Sequence, residues 1–216
     1  MKSFQYICCI AGTAVLFSCC NVYTNKKAEA PLPAREEASR PIFASAPIYT
    51  SPFMNRAIQV REYAMENHFS TSYCFFVDMS IHSGRKRFFV YDLDRNIVII
   101  SGLVAHGSCR ENYLTEAKFS NAPGCGCSSI GKYKIGESYR GQYGKSYKLY
   151  GLENTNSNAY RRAVVLHGFS CVPDEEIYPK VVCNSLGCAM VSPAFFDRLA
   201  SIIEQSKKPI LLWIYQ

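Results

Sequence analysis

The sequence lacks several features that define whole classes of protein. Its N-terminal apolar run, residues 7–17, has only 11 residues, whereas a membrane-spanning helix needs roughly 20. With 13 glycines and 19% charged residues, the composition excludes collagen-like and coiled-coil rods. The net charge is +7, but the basic residues are scattered among acidic ones and form no basic cluster of the kind that binds nucleic acid. Because 48% of the 216 residues are hydrophobic, we expect one ordinary folded domain rather than a disordered chain.

The N-terminal region has the pattern of an export signal. Lys2 precedes the short apolar run, and the residues Leu16-Phe17-Ser18-Cys19 resemble a bacterial lipobox. This pattern predicts a lipoprotein signal peptide over residues 1–18 and lipidation of Cys19. The alternative is ordinary signal cleavage, which would release a soluble exported protein. Either outcome predicts an exported protein, in which disulfides can form.

Residues 19–52 show the composition of a flexible tether that follows the lipidated cysteine. Prolines are spread among Lys, Glu, Ala and Ser, and no hydrophobic period is present. A tether of this length spans about 30 Å on the square-root law. We therefore place the folded domain at residues 53–216, with a first helix that starts near Ser51. Its packed face is expected to hold Met54, Ala57, Ile58 and Met65.

The rest of the chain is dominated by short β-type runs. Residues 193–205 are the exception and predict a helix with Ser192 as its N-cap. The sequence therefore predicts a mainly β domain with a few helices, folded as a β-sandwich or irregular barrel. The candidate strands are residues 73–79, 87–93, 96–104, 132–135, 147–152, 162–167, 189–191 and 210–215.

Cysteine is the most informative residue type in the folded part. Seven cysteines are present there, and an odd number in an exported domain indicates either an intermolecular bridge or a free thiol. A zinc site would have to use His106, Cys109, Cys125 and Cys127. This alternative is disfavoured, because only two of these cysteines are closely spaced and no matching second pair exists. The seven are Cys74, Cys109, Cys125, Cys127, Cys171, Cys183 and Cys188.

Cys188 and His167 lie at the ends of predicted strands, where a cysteine nucleophile and its base could meet. His167 ends one apolar run, and Cys188 follows a small-residue turn and precedes another. Thiolate chemistry requires a base or an imidazolium beside the sulfur, which two neighbouring strand ends can supply. The alternative is that His167 is a buried structural residue and Cys188 is half of a disulfide.

The spacing of these residues resembles the signature of the L,D-transpeptidases. His167 is followed by 17 residues and then by Ser185-Leu186-Gly187-Cys188, which fits the pattern His-x(14–17)-[Ser/Thr]-x-Gly-Cys. The resemblance is closest to the murein L,D-transpeptidase catalytic-domain (YkuD-like) family. Further motifs of that family follow one another in its order, at residues 76–80, 87–93, 104–107, 119–124, 128–133, 149–153, 158–162 and 167–168.

This resemblance implies a cysteine acyl-transfer mechanism that uses no metal or cofactor. Cys188 would attack the carbonyl of the third residue of a peptidoglycan stem and release the D-Ala that follows it. His167 would move the proton, while N–H groups around Gly187 and Cys188 would hold the oxyanion. Ser185 would contact His167 or cap the turn. The thioester would pass to a second stem, which gives a 3→3 crosslink, or to water.

The resemblance also implies where the protein acts and what it binds. We expect a monomeric lipoprotein that is tethered to a membrane, faces the cell wall in the periplasm, and binds stem peptides but no nucleic acid. Leu186 and Asn184 differ from the family's common residues and bear on substrate preference. The candidate substrate-binding residues are His106, Ser120, Asn121, Ser129, Tyr147 and Arg162.

Three other functions fit the same sequence. The enzyme could be an L,D-carboxypeptidase that trims the stem, or a cysteine peptidase with another substrate. The domain could also be a catalytically inactive, disulfide-rich wall-binding lipoprotein, in which case Cys188 would be paired or inert. A bridge between Cys171 and Cys183, which lie between His167 and Cys188, would stiffen the rim of the site.

Overall fold

The computed structural model describes residues 50–216 of the chain, with side chains from residue 53 onward. The expected signal peptide, the lipidation at Cys19 and the tether up to residue 49 therefore lie outside the described residues. Among the residues that are described, no helix is both long and apolar enough to cross a bilayer.

The described residues form one nine-stranded sheet with the order β3-β2-β1-β9-β5-β6-β7-β8-β4. The outermost strands, β3 and β4, are separated along the chain only by Leu103, so the sheet curls back on itself without closing into a barrel. The strands are β1 Tyr73–Asp78, β2 Phe88–Asp92, β3 Ile97–Gly102, β4 Val104–Ala105, β5 Gly131–Gly141, β6 Gly144–Gly151, β7 Val165–Gly168, β8 Ala189–Val191 and β9 Leu211–Tyr215.

The prediction of a mainly β domain with a few helices is confirmed. Each predicted strand overlaps an observed one, but β5 and β6 extend into a long hairpin that turns between Gly141 and Gly144. The sequence did not predict this extension, because the outer part of β5 is polar and exposed. The run predicted as one strand over residues 96–104 is divided at Leu103 into β3 and β4.

Two helices complete the fold of residues 50–216. Helix α2, Pro193–Gln205, begins as predicted at Ser192, whose Oγ accepts the Phe195 N–H at 3.2 Å. Helix α1, Thr50–Glu66, buries a different face from the predicted one. Of the four predicted residues only Ala57 is buried, whereas Met54, Ile58 and Met65 are 37%, 49% and 59% exposed.

The buried face of α1 is set by aromatic packing. Phe53 lies within 6.0 Å, centroid to centroid, of the rings of Phe76, Phe89 and Tyr91. Burying this large ring stabilises the helix more than burying a flexible methionine would, and it turns Ala57, Val60 and Ala64 toward the sheet. The position of Phe53 therefore decides which stripe of the helix faces inward.

Strands β7 and β8 divide their residues between two hydrophobic clusters. Leu166, Ala189 and Val191 pack into the main core with α2. The alternate residue Met190 packs into a smaller cluster with Val182, which belongs to the loop between β7 and β8. Alternation along a strand thus directs one set of side chains away from the main core.

Candidate active site

The register of β7 and β8 places His167 and Cys188 on the same face of the sheet. These strands are parallel, and His167 is paired with Met190. Cys188 precedes Met190 by two residues, so its side chain leaves the same face as those of Met190 and His167. Because this face is the one directed away from the main core, the topology places a thiol and an imidazole on the side of the sheet that carries the smaller cluster.

Cys188 is a free thiol that is partly exposed to solvent. Its Sγ lies 3.8 Å from the carbonyl oxygen of Ala163. Burial raises the pKa of the Cys188 thiol above 9.0, although hydrogen bonding with the Val165 backbone and the charge of Arg162 oppose the rise. Burial therefore favours the neutral form of the Cys188 thiol.

His167 is buried and held in one orientation. Its Nδ1 lies 3.1 Å from the Gly168 carbonyl oxygen, and the ring of Tyr143 stacks on it at 4.3 Å. A carbonyl only accepts hydrogen bonds, so Nδ1 carries the proton and Nε2 keeps its lone pair. Burial lowers the pKa of His167 below 6.5, although the bond to Gly168 opposes this effect. Burial thus favours the neutral form of the His167 imidazole.

Ser185 caps the turn that carries Cys188. Its Oγ accepts the Gly187 N–H at 3.1 Å and donates to the Cys188 carbonyl at 2.9 Å. Of the two alternatives for Ser185, the structure therefore shows the cap rather than a contact with His167. Two N–H groups were expected to hold the oxyanion. That of Gly187 is already bonded to Ser185 Oγ, so the Cys188 N–H is the remaining candidate.

Gly187 is required at its position for two reasons. Its φ of +107° is unfavourable for any side chain, and a Cβ there would lie 2.5 Å from the Cys127 carbonyl oxygen. The same Cβ would lie 3.0 Å from Arg162 Nη2. The turn that carries Cys188 is therefore packed directly on the segment that contains Cys127.

Arg162 holds the loop over residues 120–129 together beside the turn that carries Cys188. Its Nη1 donates to the Ser120 carbonyl at 3.0 Å and also to Ser129 Oγ, and its Nη2 donates to the Cys127 carbonyl. The structure thus brings three predicted substrate residues together, but Ser129 is buried and its Oγ also donates to the Ser120 carbonyl. These contacts shape the loop.

His106 is fully buried beneath this region. Its Nδ1 lies 2.9 Å from Arg87 Nη2, and its Nε2 lies 3.0 Å from the Leu114 carbonyl oxygen. Asn184, on the segment that leads to Cys188, also donates to the Leu114 carbonyl at 2.9 Å. With no accessible surface in this structure, His106 supports the segment from below and does not face a substrate.

Asn121 and Tyr147 also have internal partners. Asn121 Nδ2 donates to the Asn154 carbonyl at 2.9 Å, and its Oδ1 accepts the Asn158 N–H, which ties two loops together. On strand β6, Ser146 is paired with His167 and the next residue, Tyr147, is paired with Leu166. The side chain of Tyr147 therefore enters the main core, as that of Leu166 does. Its hydroxyl donates to Glu204 at 3.1 Å. The structure leaves Tyr147 on the opposite face from Cys188.

Two disulfides lie beside the candidate site. Cys171 and Cys183 are bridged, which confirms the pairing proposed from their positions. Cys109 is bridged to Cys127, so the alternative zinc site loses two of its four ligands. Three cysteines among the described residues are free, rather than the single one that a fully paired set would leave, namely Cys74, Cys125 and Cys188.

Sequence reasoning missed three groups that organise the site. The Gly168 carbonyl orients His167, but a backbone atom has no signature in the sequence. Tyr143 lies in the turn of the β5–β6 hairpin and stacks on His167. The only sequence signal for this turn is the pair of glycines that flank it, Gly141 and Gly144. Arg87 was assigned to a strand, although a basic residue beside two phenylalanines could have indicated a buried cation.

The comparison with protein families gives the class of the molecule. Residues 46–215 match the family model described as the L,D-transpeptidase catalytic domain. This match covers most of the chain, and the chain therefore belongs to that family. No curated protein matches the chain.

Several solved structures are similar at low identity. The Ldtfm–avibactam carbamoyl enzyme is 10% identical, with a TM-score of 0.43 over 67% of this chain and 49% of that one. The helical cell shape determining protein Pgp2 (K307A mutant) from Campylobacter jejuni is 8% identical, with a TM-score of 0.44 over 74% of this chain and 54% of that one. The L,D-transpeptidase from Xylanimonas cellulosilytica is 13% identical, with a TM-score of 0.40 over 71% and 68%. The chain spans about half the length of the first two.

Proposed function

We propose that this protein is a cysteine-dependent L,D-transpeptidase that acts on peptidoglycan tetrapeptide stems. The observation that carries the proposal is the free, partly exposed thiol of Cys188 on the same face of the sheet as His167. A wall-binding module without activity would have no need to keep this thiol unpaired beside two disulfides. Membership of the L,D-transpeptidase catalytic domain family supports the same reaction class.

The reaction begins from a neutral thiol and a neutral imidazole. His167 Nε2 accepts the Cys188 proton as the sulfur attacks the carbonyl of the third stem residue, and a tetrahedral oxyanion forms near the Cys188 N–H. The imidazolium is stabilised by the Gly168 carbonyl at Nδ1. It then returns the proton to the leaving amine of D-Ala, and a thioester remains on Cys188.

The thioester is resolved by an amine or by water. Attack by the amine of a second stem gives a 3→3 crosslink, and the released proton passes to His167. Attack by water gives a tripeptide and makes the protein an L,D-carboxypeptidase. We further propose, from the lipobox ending at Cys19, that the domain is exported and tethered in the periplasm facing the wall.

The test is a mass-spectrometric product assay with a disaccharide-tetrapeptide fragment. Wild-type protein is expected to give a crosslinked dimer with release of D-Ala, and Cys188→Ala is expected to give neither. Cys125→Ala removes another free, partly exposed thiol and serves as the matched control, which keeps product formation. Tripeptide without dimer would make the protein a carboxypeptidase. Unchanged fragment, with Cys188 inert to alkylation, would overturn the enzymatic proposal.

A further inference from the structure

A cleft opens beside the nucleophile on the side of Ala163. Its volume is about 430 Å³, and its floor is formed by Ala163, Val164 and Val165. This floor adjoins Cys188, whose Sγ lies 3.8 Å from the Ala163 carbonyl oxygen. A substrate whose scissile carbonyl reaches the sulfur can therefore extend into the cleft. The side chains that line its walls are Tyr139, Lys148, Tyr160 and Arg161.

The walls of the cleft carry positive charge, and no Asp or Glu is among the described residues that line it. Lys148 Nζ is paired with Glu137 Oε1 at 2.8 Å, so its charge is largely satisfied. Arg161 is exposed, and within residues 50–216 its side chain has no ion pair or hydrogen bond. An unpaired guanidinium at the wall of a cleft is suited to a carboxylate, which it can bind through two parallel hydrogen bonds.

The aromatic wall next to Arg161 is already ordered. The Tyr160 ring stacks on that of Tyr150 with their centroids 5.0 Å apart and their planes 11° apart. Lys148 Nζ lies 5.6 Å from the centroid of the Tyr160 ring. Tyr160 is 56% exposed, so part of its ring is open to a ligand. A ligand seated against this ring would exclude water from one side of the Arg161 guanidinium and strengthen an ion pair there.

We propose that this cleft binds a carboxylate of the acyl-donor stem through Arg161, and that the protein therefore selects stems with free carboxyl groups over amidated ones. The inference rests on the proposed function and specifies its substrate class. A tetrapeptide stem offers its C-terminal carboxylate and internal carboxylates. Both would present the same chemistry to the guanidinium, and the experiment distinguishes them.

The test compares kcat/KM for three donors: a stem with all carboxyls free, a stem with a C-terminal carboxamide, and a stem with its internal carboxyls amidated. Wild-type protein is expected to lose about tenfold with one of the two amidated donors. Arg161→Gln is expected to lose about tenfold with the free-acid donor and to become insensitive to that amidation. Arg161→Lys should retain part of the preference. Arg198→Gln, which removes an exposed arginine on α2, should match the wild type.

A binding measurement separates this inference from the proposed function. Calorimetric titration of Cys188→Ala with the same three stems requires no turnover, and Cys188→Ala with Arg161→Gln provides the matched variant. Weaker binding of one amidated stem, lost in the double variant, would support the inference even for a protein that forms no product. Equal binding of all three stems, or a preference that persists without Arg161, would overturn it. Activity without a preference would overturn the inference alone.

Discussion

His106 Nδ1 lies 2.9 Å from Arg87 Nη2, and both side chains are buried beneath the segment that leads to Cys188. Arg87 only donates hydrogen bonds, so Nδ1 must accept and Nε2 carries the proton toward the Leu114 carbonyl. Burial and the neighbouring Arg87 charge together lower the pKa of His106 to about 4. The network is therefore compatible only with a neutral imidazole.

This burial predicts a specific loss of stability in acid. The pKa of His106 is lower in the folded state than its usual 6.5, so the unfolded chain binds the proton more tightly. The free energy of unfolding should therefore fall as the pH drops from 6.5 to 4, by about 3 kcal/mol from this group. Urea unfolding at several pH values measures the effect.

Two histidine variants make this measurement specific. His106→Gln removes this group and should reduce the fall between pH 6.5 and 4.5, at a cost in stability at neutral pH. The part that remains comes from His167, whose pKa is also lowered by burial. His68 is exposed with a φ of 61°, a conformation that asparagine tolerates, so His68→Asn should keep the wild-type profile. A wild-type free energy that stays constant down to pH 4.5 would contradict the prediction.

The proposed pair of neutral reacting groups predicts the pH dependence of activity. His167 must be neutral to accept a proton, and burial lowers its pKa below 6.5, so the acid limb of kcat/KM should lie below 6.5. Burial raises the pKa of the Cys188 thiol, so its alkylation rate should still rise with pH above 9. An alkylation plateau that starts near pH 5 would instead indicate a resting thiolate–imidazolium pair.

The sequence predicted the strands of this fold better than the contacts of its candidate site. Runs such as residues 189–191 and 210–215 are apolar and bounded by turn residues, so local chemistry was sufficient to find them. The packed face of α1 is decided by Phe53, which contacts three aromatic rings on strands β1 and β2. These contacts are distant in sequence, so no local pattern predicts them. His106 and Tyr147 follow the same rule, because a one-residue register decides which side of the sheet they enter.

The positions of His167 and Cys188 in the sequence were informative because the register of two paired strands determines which side chains lie on the same side of the sheet. Once β7 and β8 are adjacent and parallel, the pairing of His167 with Met190 determines the face of Cys188. The group that orients the imidazole could not be found in this way. It is a backbone carbonyl, that of Gly168, and every residue has one.

Gly187→Ala is expected to damage both stability and reactivity. The φ of Gly187 is +107°, and the added Cβ would lie 2.5 Å from the Cys127 carbonyl oxygen, so the turn that carries Cys188 must shift. We expect a loss of about 2 kcal/mol in the free energy of unfolding and slower Cys188 alkylation. Gly144→Ala is the control, since its φ is +74° but no atom lies within 4 Å of the added Cβ. Equal effects of the two variants on alkylation would contradict this view of the turn.

The Cys171–Cys183 bridge is expected to stabilise the domain and the rim of the site. It joins residues 12 apart in sequence. Closing a loop of about this length lowers the entropy of the unfolded chain and raises the free energy of unfolding by about 3 kcal/mol. Replacing both cysteines with serine should lower the urea midpoint by a corresponding amount while Cys188 stays reactive. Cys125→Ser, which alters a free thiol, should leave the midpoint nearly unchanged. A double variant as stable as the wild type would disprove the stabilising role.

Arg162 is expected to support the nucleophile both by position and by charge. It donates to the Ser120 and Cys127 carbonyls, and its charge opposes the rise in the pKa of the Cys188 thiol. Arg162→Met should therefore shift the alkylation profile of Cys188 to higher pH and lower kcat/KM by about tenfold, because it removes charge-assisted hydrogen bonds. Arg162→Lys keeps the charge but only part of the bonding.

The lysine variant separates the two effects of Arg162. If charge acts on the thiol, Arg162→Lys should keep the wild-type alkylation profile while its kcat/KM falls, since a single ammonium cannot replace the planar guanidinium that bonds two segments. If position alone matters, both variants should lower kcat/KM and neither should shift the profile. Wild-type kcat/KM in Arg162→Met would show that the turn that carries Cys188 keeps its geometry without Arg162, and would contradict this prediction.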